Sequence, residues 1–163
     1  MERAEGPLPA FDLEHFLPYQ LNQVAEAVSK AFAVLYQGEF GLTRTQWRVL
    51  AHLAAADGLT AKDIGALVHE DKVSISRGVA ALEGRALLHR VRVLTDRRSE
   101  RLHLTQTGRA LFDQIALRAR DFEADLSAQL GADVMVDLQV ALQRVRAQLT
   151  ALRAVQGVSG SPG

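Results

Sequence analysis

The sequence predicts a mainly α-helical fold with one small β-hairpin and a long helix at each end. Apolar residues recur three and four positions apart along most of the 163 residues, which is the period of an amphipathic helix. The period changes to two only between Leu88 and Leu104, as in a pair of half-buried strands. The first and last predicted helices carry apolar stripes that a compact domain cannot cover alone, so we expect a dimer.

The first helix is predicted over residues 12–37. Its stripe alternates steps of four and three residues, and Gly38 and Gly41 then break the chain. The stripe consists of Leu17, Leu21, Val24, Val28, Ala31 and Leu35.

The next two helices are predicted from their caps. Thr43 is the predicted N-cap of a second helix, which ends at the turn Asp57-Gly58. Thr60 opens a third helix, with Asp63 three residues later as in a capping box.

A fourth helix is predicted from Lys72 to about Gly84. Ile75, Val79 and Leu82 form one apolar face, and no carboxylate occurs before Glu83. The opposite, solvent-facing side holds small or hydrogen-bonding side chains that can approach a large anion closely: Lys72, Val73, Ser74, Ser76, Arg77, Ala80 and Ala81.

A two-stranded hairpin with a basic tip follows, and two more helices complete the chain. Thr105 and Thr107 begin a long helix that Gly131 interrupts, and the last helix carries a coiled-coil seam. The predicted dimer interface combines residues of the first and last helices: Leu17, Leu21, Met135, Leu138, Leu142, Val145 and Leu149.

These elements predict a single domain over residues 12–155. Its dimerisation helices are residues 12–37 and 106–155, and residues 43–105 lie between them. Residues 1–11 and 156–163 lack periodicity and are predicted to be flexible tails.

Zero net charge conceals a polarised chain. Residues 72–109 carry 9 basic and 3 acidic side chains, a net charge of +6, whereas residues 1–71 have a net charge of −5. A basic segment within a neutral chain is typical of a surface that binds a polyanion, although a solvated charged face remains the alternative.

Composition excludes several other classes of protein. There is no cysteine, so disulfide, thiolate-metal and thiol-redox chemistry are excluded. The apolar runs are too short for a membrane span and the first residues are acidic, so we expect a soluble cytoplasmic protein without a membrane partner. Phosphate-binding glycine motifs and metal-ligand histidine spacings are absent, so we predict neither an enzyme nor a cofactor or metal site.

The order helix, turn, helix, basic hairpin over about residues 43–105 is that of a winged helix-turn-helix, whose second helix enters the major groove of DNA. Arg77 is suited to hydrogen-bond a guanine in the major groove, and Arg97, at the hairpin tip, is suited to insert into the adjacent minor groove. Asp96 is assigned an orienting role, paired with Arg98 or Arg101. The full set of predicted DNA-binding residues is Lys72, Val73, Ser74, Ser76, Arg77, Arg85, Arg90, Arg92, Asp96, Arg97, Arg98 and Arg101. The alternative function is a dimeric helical interaction module whose basic hairpin docks an acidic protein.

The chain resembles the MarR family of bacterial winged-helix regulators over residues 12–150. The resemblance rests on four stretches: Leu42-Thr43 through Leu50, Leu59 through Ile64 with Leu67, Asp71 through Arg77 with Leu82-Glu83, and Asp96-Arg97-Arg98 followed by Leu102-His103-Leu104-Thr105 and Gly108. It implies a homodimeric regulator, usually a repressor, that binds a pseudo-palindromic operator. One departure is Ala86, where the family usually has glycine.

The resemblance also implies release from DNA by a small, often aromatic, anionic ligand. An aromatic acid needs an apolar slot with a cation or imidazole for its carboxylate. A benzoate-, hydroxycinnamate- or hydroxynicotinate-like ligand fits the side chains that the first two helices supply. Each of these side chains also has a simpler structural explanation, as a core residue, an ion-pair partner or an exposed residue. They are His15, Tyr19, Asn22, Phe40, Trp47, Arg48 and His52.

Overall fold

The structure is a computed structural model that describes residues 11–93 and 96–158, with side chains over 11–92 and 100–152. Within those residues it contains helices and a small antiparallel sheet, so the predicted fold class is confirmed. The elements are α1 (Leu17–Phe40), α2 (Arg44–Ala55), β1 (Leu59–Thr60), α3 (Ala61–Val68), α4 (Lys72–Gly84), β2 (Leu88–Val93), β3 (Asp96–Leu104), α5 (Gln106–Leu130) and α6 (Ala132–Val158).

The chain divides into two compact units, Met1–Ala116 and Leu117–Gly163. The core of the first unit forms where the apolar faces of α2, α3 and α4 meet the sheet. Val49, Leu53, Ile64, Val79 and Leu82 are completely shielded from solvent. The predicted apolar face of α4 is therefore confirmed, and it fixes which face of this helix remains exposed.

The sheet has three strands in the order β1-β3-β2, which corrects the predicted two-stranded hairpin. Leu59 pairs with Leu102 and Thr60 with Arg101, so β1 covers the outer edge of β3. Two residues are too few to show a period of two, which is why the sequence did not indicate this strand. The additional strand, β1, directly precedes α3 and so connects the hairpin to the start of that helix.

The first helix differs from its predicted bounds at both ends. It begins at Leu17 because Pro18 occupies the first turn, where a missing N–H costs nothing. It continues through Gly38 and ends at Phe40, where Gly41, with a left-handed φ of 61°, forms the C-cap. The predicted tails, residues 1–11 and 156–163, lie almost entirely outside the described residues, although α6 continues to Val158.

The departure at Ala86 has a structural consequence. Ala86 has a φ of 55°, a left-handed conformation that is strained for a residue with a Cβ. Its N–H donates to the Glu83 carbonyl at 2.9 Å and its carbonyl accepts from the Thr105 hydroxyl at 2.7 Å, so the turn is held at both sides.

We therefore expect Ala86→Gly to raise the free energy of unfolding by about 0.5–1 kcal/mol, because the strain relieved exceeds the entropy gained by the unfolded chain. Urea denaturation measures the change. Ala110→Gly, in the exposed and regularly helical part of α5, is the control and should lower the same quantity by about 1 kcal/mol. A loss of stability in both variants would contradict the strain at Ala86.

Candidate nucleic-acid interface

The turn between α3 and α4 sets the helix-turn-helix geometry. The Thr60 hydroxyl accepts from Asp63 N at 3.1 Å and the Asp63 carboxylate accepts from Thr60 N at 3.0 Å, so the predicted capping box is confirmed. The Thr60 hydroxyl also donates to Asp63 Oδ2 at 2.7 Å, and this hydrogen bond, followed by the one from Thr60 N, lowers the pKa of the Asp63 carboxyl. At the other end of α3, His69 adopts a left-handed φ of 54° and reverses the chain toward α4.

Asp71 caps the start of α4. Its carboxylate accepts from the backbone N–H groups of Val73 at 2.8 Å and Ser74 at 2.9 Å. The Ser74 hydroxyl donates to the same carboxylate at 2.7 Å, and this hydrogen bond is the main cause of the lowered pKa of Asp71. Ser74 was predicted to contact DNA, but its hydroxyl here completes the cap.

The opposite face of α4 is exposed, as predicted. Lys72, Val73, Ser76 and Arg77 are open to solvent, and Val73 retains 57% of its exposure despite being apolar. Ile75, on the other side of the helix, is 1% exposed. The face therefore offers two cations, a hydroxyl and two methyl groups with no carboxylate among them.

The sheet beside α4 contains arginines with internal partners. Arg90 Nε donates to Glu83 at 2.9 Å and Arg90 Nη1 to Glu100 at 3.2 Å, and the Glu83 contact is the main reason that the pKa of Arg90 is raised. Arg101 Nη1 donates to the Gly58 carbonyl at 2.7 Å. The geometry thus gives two of the predicted DNA-binding residues, Arg90 and Arg101, a structural role in holding the sheet.

The remaining predicted DNA contacts differ in their surroundings. Arg85 donates to the Phe40 and Gly41 carbonyls at 3.0 and 3.2 Å, which caps the end of α1. Arg92 is 84% exposed and lies 3.9 Å from Glu100. The side chains of Asp96, Arg97 and Arg98 lie outside the described residues, and their roles stay predictions.

A cluster of aromatic rings joins α1, α2 and α5 within the first unit. The ring centroids of Phe32 and Trp47 are 5.5 Å apart, and Tyr36 and Trp47 stack at 6.1 Å. Phe112 also stacks on Trp47, with centroids 5.9 Å apart and an interplanar angle of 11°. The Arg109 guanidinium lies over the Phe112 ring, 6.0 Å from its centroid.

Three comparisons with known proteins identify the family. The model of the MarR family matches residues 40–99, which contain the helix-turn-helix and most of the sheet. The transcriptional repressor CouR, solved in complex with a 23-mer DNA duplex, is 30% identical, with 86% of this chain and 99% of CouR covered and a TM-score of 0.73. The chain belongs to the MarR family.

Other relatives agree with this assignment, and the chain is accordingly a DNA-binding transcriptional regulator. PcaV from Streptomyces coelicolor, solved with its natural ligand, is 26% identical with a TM-score of 0.67, over 86% of this chain and 98% of PcaV. An uncharacterised helix-turn-helix regulator of Bacillus subtilis strain 168, YwoH, is 28% identical over 69% of this chain and 80% of its own length. Of the two functions that the sequence left open, the protein-interaction module is therefore less well supported than the DNA-binding regulator.

The predicted effector residues of this MarR-family chain are not brought together as one set. Trp47 and Phe40 are partly buried and pack against the core. Arg48 donates to the Val68 carbonyl and to Glu70, at 3.2 and 3.4 Å.

The other predicted effector residues lie mostly toward solvent. His15 is exposed and bonded to Asp12, and Asn22 is also exposed. Tyr19 accepts from Gln23, and His52 is partly buried on α2. An open cleft of about 680 Å³ lies beside α4, between Ala61, Lys62, Lys72, Ser76 and Arg90, and none of the seven predicted residues lines it.

The predicted dimer residues are mostly exposed. On α1, Leu17 and Leu21 are 53% and 37% exposed. On α6, Leu138, Leu142 and Leu149 are at least 41% exposed, while Met135 and Val145 are partly buried.

In the described residues, none of the helices combines the length and hydropathy needed to cross a membrane, and no cluster of three His, Asp or Glu side chains suits a metal ion.

Sequence reasoning missed Thr45, Glu70, Arg109 and Phe112. Their partners are distant in sequence: Thr45 Oγ1 donates to Glu70 at 2.6 Å, and Arg109 donates to the Ala54 carbonyl at 3.1 Å. The one available signal was Phe112, which follows Leu111 on the apolar face of the predicted long helix. Nothing in a single sequence marks the other three.

Proposed function

We propose that this regulator is a homodimeric repressor that binds a pseudo-palindromic operator and leaves it when a small aromatic acid binds. The observation that carries the proposal is the exposed face of α4, which has no carboxylate before Glu83, next to a basic sheet. CouR, a repressor solved on a DNA duplex, supports the same arrangement, because this chain is similar to CouR over 99% of its length.

In this proposal α4 lies in the major groove. Arg77 hydrogen-bonds a guanine, Ser76 bonds a base edge and the Val73 methyls contact a thymine methyl. The wing, formed by β2, β3 and their connection, reaches the flanking minor groove with Arg97, while Arg92 and Arg98 contact phosphates. Lys72 neutralises a further phosphate at the start of the helix.

A second copy of the chain would cover the apolar residues of α1 and α6. Large apolar side chains exposed in rows are unusual on a monomer and mark an interaction surface. A two-fold axis relates the two copies of α4, so that they meet successive half-sites of the operator.

The first test is fluorescence anisotropy of the purified protein on the DNA flanking its own coding region, in a salt series. Arg77→Ala and Arg97→Ala should each reduce operator affinity by about 1–3 kcal/mol, because each removes one groove contact. Arg120→Ala, an exposed arginine of α5, is the matched control and should have no effect. Affinity for operator no greater than for random DNA would instead favour an acidic protein partner.

The effector is proposed to be an aromatic carboxylate of the benzoate, hydroxycinnamate or hydroxynicotinate class. The stacked rings around Trp47 supply aromatic faces for such a ligand. PcaV, solved with its natural ligand, supports the presence of an effector.

Because Trp47 is the sole tryptophan, its emission reports directly on this cluster. A panel of aromatic acids should contain one that changes Trp47 emission and releases DNA over the same concentration range. Release without any change in emission would place the effector elsewhere.

A further inference from the structure

The turn between α3 and α4 is held by two side chains of α2. Thr45 Oγ1 donates to Glu70 Oε2 at 2.6 Å, and Arg48 Nη1 lies 3.4 Å from Glu70 Oε1. The same Arg48 nitrogen donates to the Val68 carbonyl at 3.2 Å, at the last residue of α3. Side chains on consecutive turns of α2 thus hydrogen-bond both oxygens of the Glu70 carboxylate and the carbonyl at the end of α3.

Thr45 also touches α4 itself. A Cβ built on Gly78 would lie 3.0 Å from Thr45 Cγ2 and 3.6 Å from Thr45 Cβ, so α4 and α2 approach closely at this point. The hydroxyl of Thr45 therefore holds the turn before α4, while its methyl group contacts the middle of the helix. Two fixed points determine the direction of α4 relative to α2.

Glu70 is an unexpected residue at this place. It immediately precedes Asp71, the N-cap of the helix whose exposed face is basic, and a carboxylate here opposes DNA binding by charge alone. Its side chain is only 18% exposed and that of Arg48 is 32% exposed, so neither is a freely solvated surface charge. A carboxylate in this position needs a role that outweighs its repulsion.

We propose that Thr45, Arg48 and Glu70, the α2 clamp, are positioning residues that hold α4 at the angle needed to read base edges. The inference rests on α4 as the helix that binds DNA. It assigns Arg48 to the orientation of α4 and removes it from the effector site. Hydrogen bonds to bases tolerate errors of only a few tenths of an ångström in donor–acceptor distance, so a small rotation of α4 reduces specific binding.

The decisive variant is Glu70→Gln, because charge and positioning predict opposite signs. Removal of a negative charge beside DNA should tighten binding to every sequence. Loss of the clamp should weaken operator binding about 5- to 10-fold while leaving binding to random DNA nearly unchanged. Because the Glu70 side chain is only 18% exposed, the substitution should also lower the midpoint of urea denaturation, so binding is compared at a temperature where both proteins are fully folded.

Variants of the two partners complete the test. Arg48→Met should give a similar loss, and the double variant with Glu70→Gln should lose no more than the larger single loss, because both remove one interaction. Thr45→Ser keeps the hydroxyl and should retain most of the specificity, whereas Thr45→Val keeps the methyl contact with Gly78 and should not. Arg48→Met should still be released by the effector.

Two outcomes would overturn the clamp. One is operator binding by Glu70→Gln that equals or exceeds that of the wild type, and the other is additive losses in the double variant. Arg77→Ala, assayed beside them, separates this result from a failure of the proposed function. If the wild type itself shows no preference for operator over random DNA, both proposals are wrong. If Arg77→Ala loses affinity and Glu70→Gln does not, only the clamp is wrong.

Discussion

Gly108→Ala should unfold much of the protein at room temperature in mild denaturant. A Cβ on Gly108 would overlap the carbonyl oxygen of Leu87 and lie 2.8 Å from its carbonyl carbon. The backbone cannot move aside easily, because that carbonyl accepts from Thr105 N at 3.1 Å and Gly108 N donates to Thr105 Oγ1 at 2.9 Å. We expect a loss of at least about 3 kcal/mol in the free energy of unfolding, at the upper end of overpacking effects.

Urea denaturation followed by circular dichroism measures this loss. Gly38→Ala is the matched control, because a Cβ there meets nothing within 4 Å and the residue lies inside α1. The control should gain about 0.5–1 kcal/mol from better helix propensity and a less flexible unfolded chain. If Gly108→Ala proved as stable as the wild type, the close approach of α5 to Leu87 would be wrong.

The prediction from sequence succeeded where local physics decides. The capping box of Thr60 and Asp63 and the buried side of α4 depend on residues three or four positions apart, and both were predicted. The predicted end of α1, at Gln37, lies three residues before the observed end at Phe40. Gly38 lies in open space and adopts the helical conformation, so it does not end the helix. A glycine in a helix lowers stability only slightly when the surrounding helix is well formed.

The candidate site was predictable in its charge and less so in its partners. A count of charges identified the basic segment, but an arginine side chain has several rotatable bonds and can reach distant partners. Arg85 bonds the carbonyls of Phe40 and Gly41, more than forty residues away in sequence. The contacts of Arg48 with Val68 and Glu70 were likewise not indicated by the sequence. Such pairings depend on the tertiary arrangement of α2, α3 and the sheet, which periodicity does not contain.

The largest functional effect is expected for Leu142→Glu. Leu142 is 45% exposed on α6, in the row of apolar residues that we propose a second copy covers. A glutamate there would place a charge in an apolar interface twice per dimer, which is far costlier than leaving it in water. The dimer should dissociate, and operator affinity should fall at least about 100-fold, because two linked readers bind much more tightly than one.

Multi-angle light scattering measures the mass and anisotropy measures the affinity of the same sample. Val140→Glu is the matched control: it is 40% exposed on the same helix but lies two residues away, on nearly the opposite side from Leu142. It should remain dimeric with operator affinity close to that of the wild type. A Leu142→Glu protein that stays dimeric would show that the interface lies elsewhere, whereas a monomer with full operator affinity would show that one copy of α4 and its wing suffices for recognition.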